Sequence, residues 1–240
     1  MVFNNPISSE KADRLLRLLE LNPSNHILDA GCGQGEFLIR VLEVYNCAGL
    51  GIDVDEPSLK TARSTAEARL DHPKHCEFRK TDLTSTKLDP DSFDLAICLG
   101  ATHAFGRGDE AYPNTVRELT RLVRPGGRML IGEGYWKQPP ALEYLELLGE
   151  PVGIYRSHAE NVAFGEQCGL RPLHASVSSD DEWDDFEWEH RRALEKELSL
   201  HPEDSKTGKE LERIRRWSEG YLRWGRSTMG FGFYLFGLPD

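Results

Sequence analysis

A glycine-rich segment is the feature that most restricts what this chain can fold into. Residues 29–35 read DAGCGQG, between a short apolar run and a run whose apolar residues recur at helical spacing. Glycines at such a strand-to-helix junction allow a ligand to approach the backbone N–H groups at the start of the helix. The segment therefore predicts a ligand site between the first strand and the following helix.

Strand-like and helix-like runs alternate along the chain, beginning with a helix predicted over 10–21. Because strands that alternate with helices indicate a parallel sheet covered on both faces, the predicted class is α/β, with a doubly wound, Rossmann-like sheet. The predicted strands are 26–30, 48–53, 77–80, 93–99, 128–132, 171–177 and 231–236.

Composition narrows the choice of partners. The chain has 29 Lys and Arg and 40 Asp and Glu, a formal net charge of −11, which disfavours nonspecific binding to nucleic-acid phosphates. The longest stretches without these residues, 95–106 and 227–239, are shorter than the roughly 18 residues of a membrane-spanning helix. Five cysteines without a C-x-x-C pair, and no signal-peptide pattern, favour a reducing compartment. We expect a cytoplasmic protein without a nucleic-acid or membrane partner.

Two cofactor classes compete for the glycine segment. A dinucleotide fingerprint reads G-x-G-x-x-G, but Glu36 stands at the place of its last glycine, and an acid there would repel a pyrophosphate. A ligand without phosphate suits the segment better. Such a ligand would offer a carboxylate to the backbone N–H groups, an amino group to Asp29 or nearby carbonyls, and a ribose.

The chain resembles the class I S-adenosylmethionine-dependent methyltransferases. Residues 29–37 (DAGCGQGEF) are similar to the first motif of that family, and the segments FDLAICLGATHAFG and LVRPGGRMLIGEGYW are similar to its later motifs. The resemblance implies that Asp53 binds both ribose hydroxyls and that Asp82, with Leu83, lies at the adenine. The cofactor-binding residues it implies are Asp29, Gly31, Gly33, Gly35, Asp53, Val54, Asp82, Leu83, Leu99 and Gly100.

The resemblance also implies the organisation of the chain. The family has a seven-stranded, mostly parallel sheet, so FGFYLFGL would form an antiparallel last strand. We expect a single domain with an N-terminal helix (1–21), a cofactor-binding core (22–177), a helical insertion over the acceptor site (178–227) and the last strand (228–240). The segments LGATHAFG, LIGEGYWKQPPA and DEWDDFEW look like an uncharacterised bacterial subgroup that acts on small molecules.

Each candidate residue on the side of the site that would bind the methyl acceptor has two possible interpretations, one functional and one structural. His103 and Glu133 are candidate bases for an acceptor that must lose a proton, although His103 could equally be a structural histidine. Tyr135, Trp136, Trp183 and Tyr221 are candidate acceptor contacts, although aromatic residues at helical spacing more often belong to a core. Aromatic faces interleaved with acids between 183 and 189 raise the hypothesis of a cationic or amine-bearing acceptor.

The most consistent function is methyl transfer from S-adenosylmethionine to a small-molecule acceptor by in-line displacement. The alternatives are a non-catalytic protein that binds or senses S-adenosylmethionine and, less compatible with Glu36, a nicotinamide oxidoreductase. We expect no metal site, because His72, His75 and Cys76 do not make up a recognisable set of ligands.

Overall fold

A seven-stranded sheet runs through the centre of the protein in a computed structural model, which describes residues 3–201 and 205–240. Its strand order is β3-β2-β1-β4-β5-β7-β6, and β7 is antiparallel to its neighbours β5 and β6 while the other pairs are parallel. The predicted α/β class and the antiparallel last strand are confirmed. The strands are β1 (His26–Ala30), β2 (Ala48–Asp53), β3 (Cys76–Lys80), β4 (Phe93–Leu99), β5 (Val123–Trp136), β6 (Arg171–Val177) and β7 (Met229–Gly237).

Helices connect the strands and cover the sheet. None of those described is both long and apolar enough to cross a lipid bilayer. The helices are α1 (Ser9–Leu16), α2 (Glu36–Tyr45), α3 (Glu56–Arg69), α4 (Ala111–Leu122), α5 (Leu142–Leu148), α6 (His158–Gln167), α7 (Asp180–Leu200), α8 (Ser205–Gly220) and α9 (Arg226–Thr228), with a π-helical segment at Tyr221–Gly225 between the last two.

Alternation along the strands divides the apolar residues into two cores. Ile27 of β1 packs in a core with residues of α1, α2 and α3, whereas its neighbour Leu28 packs in a second core with residues of α4. Successive side chains of a strand point to opposite faces, so a sheet with helices on both faces needs apolar residues at consecutive positions. This requirement explains the near-continuous apolar runs of the central strands.

Among the elements predicted above, the first helix and β5 differ most from the sequence prediction. The first helix ends at Leu16 rather than residue 21, because the N–H groups of Leu18 and Leu19 turn back to carbonyls three residues earlier. Strand β5 is far longer than 128–132, since it pairs with β7 over nine positions up to Trp136. Residues 1–2 of the predicted N-terminal segment and 202–204 of the predicted insertion lie outside the described residues.

Candidate functional site

The glycine segment crosses from β1 to α2 at the carboxyl edge of the sheet. Gly31 has a left-handed backbone, with φ of 78°, and a Cβ there would lie 2.2 Å from the Cβ of Ala101. At Gly33, also left-handed, a Cβ would lie 2.9 Å from the side-chain nitrogen of Asn4. Glycine at these two positions therefore allows the turn and its close packing. Gly35 leads into α2 and packs against the ring of Phe78.

Asp53 ties the glycine segment to the end of β2. Its Oδ2 accepts a hydrogen bond from the N–H of Gly33 at 2.8 Å, and its Oδ1 accepts one from the N–H of Asp55 at 2.9 Å. The carboxylate is half-buried and also lines a cavity. It is thus held in place by backbone donors while it faces open space.

That cavity, about 710 Å³ in volume, lies at the carboxyl ends of β1 to β4, and we call it the strand-end cavity. Ligands of open α/β sheets bind in such a position. Asp82 reaches its wall from the turn after β3, where its Oδ1 accepts from the N–H and the hydroxyl of Thr84 at 2.8 and 2.6 Å. The sequence-predicted residues in the wall are Gly31, Gly33, Asp53, Val54, Asp82, Leu83, Leu99, Gly100 and His103.

Asp29 lies behind the glycine segment, beside a small space of about 50 Å³ that Gly31, Gly33 and Leu99 also border. The side chain is only 3% exposed. Burial, and secondarily the negative charge of Asp53, raise the pKa of Asp29 to about 7. Near neutral pH this carboxyl group therefore changes charge readily.

A second cavity of about 590 Å³ adjoins the first, and we call it the aromatic cavity. The two share Asn4, Gly100, His103, Gly106 and Arg107, so they meet just past the end of β4. Helices α7 and α8 contribute part of its wall. Its aromatic lining residues are Tyr112, Tyr144, Tyr155, Trp183, Phe186, Trp217 and Phe231.

The two candidate bases differ in their surroundings. Glu133 of β5 is 8% exposed; its Oε1 accepts from the N–H of Gly134 at 2.8 Å, and its buried Oε2 has no hydrogen-bond partner among the described residues. Burial raises the pKa of Glu133 to about 7, while Thr102, the Gly134 N–H and Arg156 oppose the rise. His103 is exposed on a 3-10 turn and borders both cavities. Glu133 lines the aromatic cavity.

The structure brings only one of the four predicted aromatic contacts, Trp183, to the aromatic cavity; the others are not among the described residues that line either cavity. Tyr135 packs against the ring of His158 with centroids 5.2 Å apart. Trp136 donates its indole N–H to the carbonyl of Val152 at 3.0 Å, and the Tyr221 hydroxyl lies 2.7 Å from Oδ1 of Asp184. Trp136 and Tyr221 thus satisfy their polar groups within the protein, and Tyr135 packs by its ring.

Sequence reasoning missed several residues of the two walls. Asn4 borders both cavities from a segment without periodicity or motif, so no local signal pointed to it. Arg107 lies in the loop after β4. Glu187 and Trp217 line the aromatic cavity; the acid- and tryptophan-rich composition of their helices was a signal, but it did not identify positions.

No three His, Cys, Asp or Glu side chains of the described ranges, 3–201 and 205–240, cluster closely enough to hold a metal ion. His72 and His75 instead lie near each other, with ring centroids 5.4 Å apart, beside a separate cavity of about 320 Å³. That cavity also includes Cys47 and Arg69 and lies apart from the two described above.

Comparison with known proteins relates this geometry to one enzyme class. Residues 27–127 match the family described as a methyltransferase domain. The chain is 27% identical to the uncharacterised protein YjhP of Escherichia coli (strain K12), over 97% of this chain and 92% of that protein. It is also 27% identical to the 27-O-demethylrifamycin SV methyltransferase of Amycolatopsis mediterranei (strain S699), over 86% of this chain and 77% of that protein.

Solved structures agree over nearly the whole chain. The X-ray structure of E. coli YjhP is similar with a TM-score of 0.87 at 26% identity, covering 99% of this chain and 95% of that one. A methyltransferase from Geobacter sulfurreducens, solved in complex with S-adenosyl-L-homocysteine, is similar with a TM-score of 0.86 at 27% identity, covering 99% and 94%. The likeness therefore includes the helices that cover the aromatic cavity.

Proposed function

We propose that this chain, a class I S-adenosylmethionine-dependent methyltransferase, transfers a methyl group to a small molecule bound in the aromatic cavity. The observation that carries the proposal is the junction of two cavities at Gly100 and His103. One cavity has the strand-end position of a nucleoside ligand, and the other is lined by aromatic and acidic side chains. A donor and an acceptor held in adjoining cavities are positioned for direct transfer.

The residues of the strand-end cavity fit S-adenosylmethionine. Asp53 offers a carboxylate to the ribose hydroxyls, and the glycine segment exposes backbone close to the same wall. Asp82 and Leu83 are proposed to hold the adenine, and Asp29 to neutralise the amino group of the methionine part. A volume of about 710 Å³ falls within the usual range for cofactor sites. When bound, S-adenosylmethionine supplies a methyl group already activated on a sulfonium.

The chain's own contribution is then to align the acceptor and to exclude water. Trp183, Phe186 and Trp217 supply apolar surface to the aromatic cavity. Glu133 and His103 are the candidate groups that would remove a proton from the acceptor before transfer. The segment 178–227 is proposed as the insertion that covers this side of the site.

A small acceptor is supported by the aromatic cavity's volume of about 590 Å³, which suits a molecule of metabolite size. The net charge of −11 disfavours nucleic acid. The rifamycin-related enzyme, by its name, acts on a small molecule. We include a cytoplasmic location in the proposal because the five cysteines are all free thiols in the structure.

The test is calorimetric titration with S-adenosylmethionine, S-adenosylhomocysteine and NAD, using the parent protein, Asp53→Asn and Asp71→Asn. Asp71 is an exposed control on the loop after α3. We expect the first two ligands to bind and NAD not to bind. Because hydrogen bonds to a charged group contribute about 1.5–3 kcal/mol, Asp53→Asn should weaken binding roughly 10- to 100-fold.

Methyl transfer is tested separately from binding. The protein is incubated with methyl-labelled S-adenosylmethionine and a bacterial metabolite extract, and the label is followed into new products. Appearance of labelled product that depends on the protein supports an enzyme. Tight binding with all of the label retained on the donor would favour the non-catalytic binding protein instead.

A further inference from the structure

Glu133, in the wall of the aromatic cavity, has a buried carboxylate oxygen without a hydrogen-bond partner in the part of the chain that the structure describes. Oε2 of Glu133 is shielded from solvent by the protein and accepts no hydrogen bond from the described residues. An unsatisfied buried carboxylate is unfavourable, so the site gains stability when a ligand supplies a donor or a positive charge. Because Glu133 is among the residues that line the cavity, a bound acceptor would lie beside this side chain.

The groups around Glu133 do not neutralise it. The guanidinium of Arg156 lowers its pKa, yet it donates to the backbone carbonyl of Asp109 at 3.4 Å and lies over the ring of Phe164 at 5.3 Å. Four further titratable groups interact electrostatically with Glu133, and burial raises their pKa values so that they are uncharged at neutral pH: Cys98, Tyr112, Tyr155 and Tyr234.

A second carboxylate enters the same cavity from α7. Glu187 accepts the indole N–H of Trp217 at 2.7 Å, and burial raises its pKa. Trp183, on the same helix, is 8% exposed, and its indole lies close enough to lower the pKa of Glu187. Among the residues of 3–201 and 205–240, its indole nitrogen has no hydrogen-bond partner within normal distance. One wall thus offers a carboxylate on a strand, and another offers a carboxylate among indole rings.

The balance of charge in the wall favours a cation. Glu133, Glu150 and Glu187 line the aromatic cavity, whereas Arg107 is its one guanidinium among the residues the structure describes, and Arg107 is exposed at the junction of the two cavities. An anionic acceptor would lie beside these carboxylates and be repelled. An ammonium group would be attracted both by the carboxylates and by the faces of the aromatic rings.

We propose that the acceptor is a small amine with an apolar body, bound as its ammonium form against Glu133 and the indole rings of the aromatic cavity and methylated on nitrogen. This inference rests on the proposed methyl transfer. The ammonium gives one proton to Oε2 of Glu133. The lone pair freed on nitrogen forms the new N–C bond as the C–S bond of the sulfonium breaks, and the electron pair of that bond stays on sulfur. Glu133 then releases its proton to solvent.

Binding is tested without turnover, in the presence of saturating S-adenosylhomocysteine. The probes share an aromatic body and differ in the head group: 2-phenylethylamine, 2-phenylethanol and 3-phenylpropanoate. We expect the amine to bind at least 10-fold more tightly than the other two. Glu133→Gln, which keeps shape and removes charge, should weaken amine binding about 10- to 100-fold and leave affinity for S-adenosylhomocysteine within twofold.

Two further variants make the binding test specific. Glu187→Gln should also weaken amine binding, whereas Glu146→Gln, an exposed carboxylate on α5, should not change it. The proposal is overturned if the alcohol or the carboxylate binds as tightly as the amine, if the amine does not bind, or if Glu133→Gln leaves the preference for the amine over the other two probes undiminished.

Transfer is tested with deuteromethyl S-adenosylmethionine and a bacterial metabolite extract, with mass spectrometric fragmentation to locate the label. We expect the label on nitrogen, and at least 10-fold less of it with Glu133→Gln. Label found only on oxygen or carbon would overturn the amine assignment and leave methyl transfer standing. No label on any compound would contradict the proposed function itself.

Discussion

Asp29 and Glu133 are buried carboxyl groups whose pKa is raised to about 7 by desolvation, and they lie on different sides of the site. Asp29 borders the glycine segment, and Glu133 lines the aromatic cavity. A carboxyl group with a raised pKa destabilises the folded protein once it is ionised, because its charged form is better solvated in the unfolded chain. Each carboxylate thus lowers the stability of the free protein above about pH 7, where its negative charge is available to bind a cationic group.

Asp29→Asn should stabilise the free protein at alkaline pH. The carboxyl group titrates near pH 3.9 in the unfolded chain and near 7 in the folded protein. The free energy of unfolding therefore falls as pH rises from about 4 to about 7, because the group ionises more easily in the unfolded chain. We expect the gain in unfolding free energy from Asp29→Asn to be larger at pH 8 than at pH 5 by about 3 kcal/mol. Urea unfolding of both proteins at the two pH values measures it. A gain independent of pH would contradict the assigned titration.

Glu133→Gln should change the pH dependence of methyl transfer. The unprotonated carboxylate is the form that accepts a proton, so turnover of the parent protein should rise with pH and level off above about 7. Glu133→Gln should lose this inflection and lower kcat by roughly 100-fold, which is the low end of the usual effect of a general base. His103→Ala serves as the comparison: an inflection that disappears there, and persists in Glu133→Gln, would assign the base to His103 instead.

At the scale of elements, α7 is tied by side-chain hydrogen bonds to two segments beside the site, the start of α1 and the short helix α9 before β7. At its start, Glu182 caps the helix together with Ser179 and accepts from the N–H and hydroxyl of Ser8 at 3.0 and 2.6 Å. Two residues later, Asp184 accepts from the guanidinium of Arg226, which precedes β7. Ser8, in the first anchor, is four residues from Asn4, which borders both cavities.

Glu182→Ala should loosen this anchor. The variant removes a capping box, which contributes about 1 kcal/mol, and the ion pair with Lys11. We expect faster hydrogen exchange in α1 and the first turn of α7, and three- to tenfold weaker binding of S-adenosylhomocysteine, about 1 kcal/mol. Asp181→Ala, an exposed acid in the same turn, is the matched control. Equal effects of the two substitutions would show that only helix-dipole charge matters.

At the scale of the whole molecule, ligand binding and stability are coupled because the strand-end cavity draws its wall from four strands and the loops after them. S-adenosylhomocysteine at about 100 times its Kd should stabilise the fold by about 2.7 kcal/mol. For a chain of this size that corresponds to a rise in Tm of roughly 5–11 °C. Differential scanning fluorimetry tests this, with NAD expected to leave Tm unchanged. An equal shift with NAD would contradict the assigned ligand class.

Much of the architecture follows from short-range patterns in the sequence. The apolar runs of β2 and β4 and the turn at the glycine segment depend on neighbouring residues alone, so periodicity locates them. Asp53 and Asp82 follow successive strands, and parallel strands bring their carboxyl ends to one edge, so sequence order suffices to place both in one cavity wall.

Tertiary structure alone decided the aromatic cavity. Tyr135, Trp136 and Glu133 all lie near the end of β5. The Tyr135 ring packs on His158 and the Trp136 indole donates to a carbonyl, whereas Oε2 of Glu133 has no partner among the described residues. Asn4, Glu133 and Glu187 are far apart along the chain, and they line one cavity only because α7 packs against the N-terminal segment at Ser8 in the folded protein. Sequence determined the fold class and the glycine-lined wall, since both depend on local order; burial, and with it the raised pKa of Asp29 and Glu133, depends on distant segments and exists only in the folded molecule.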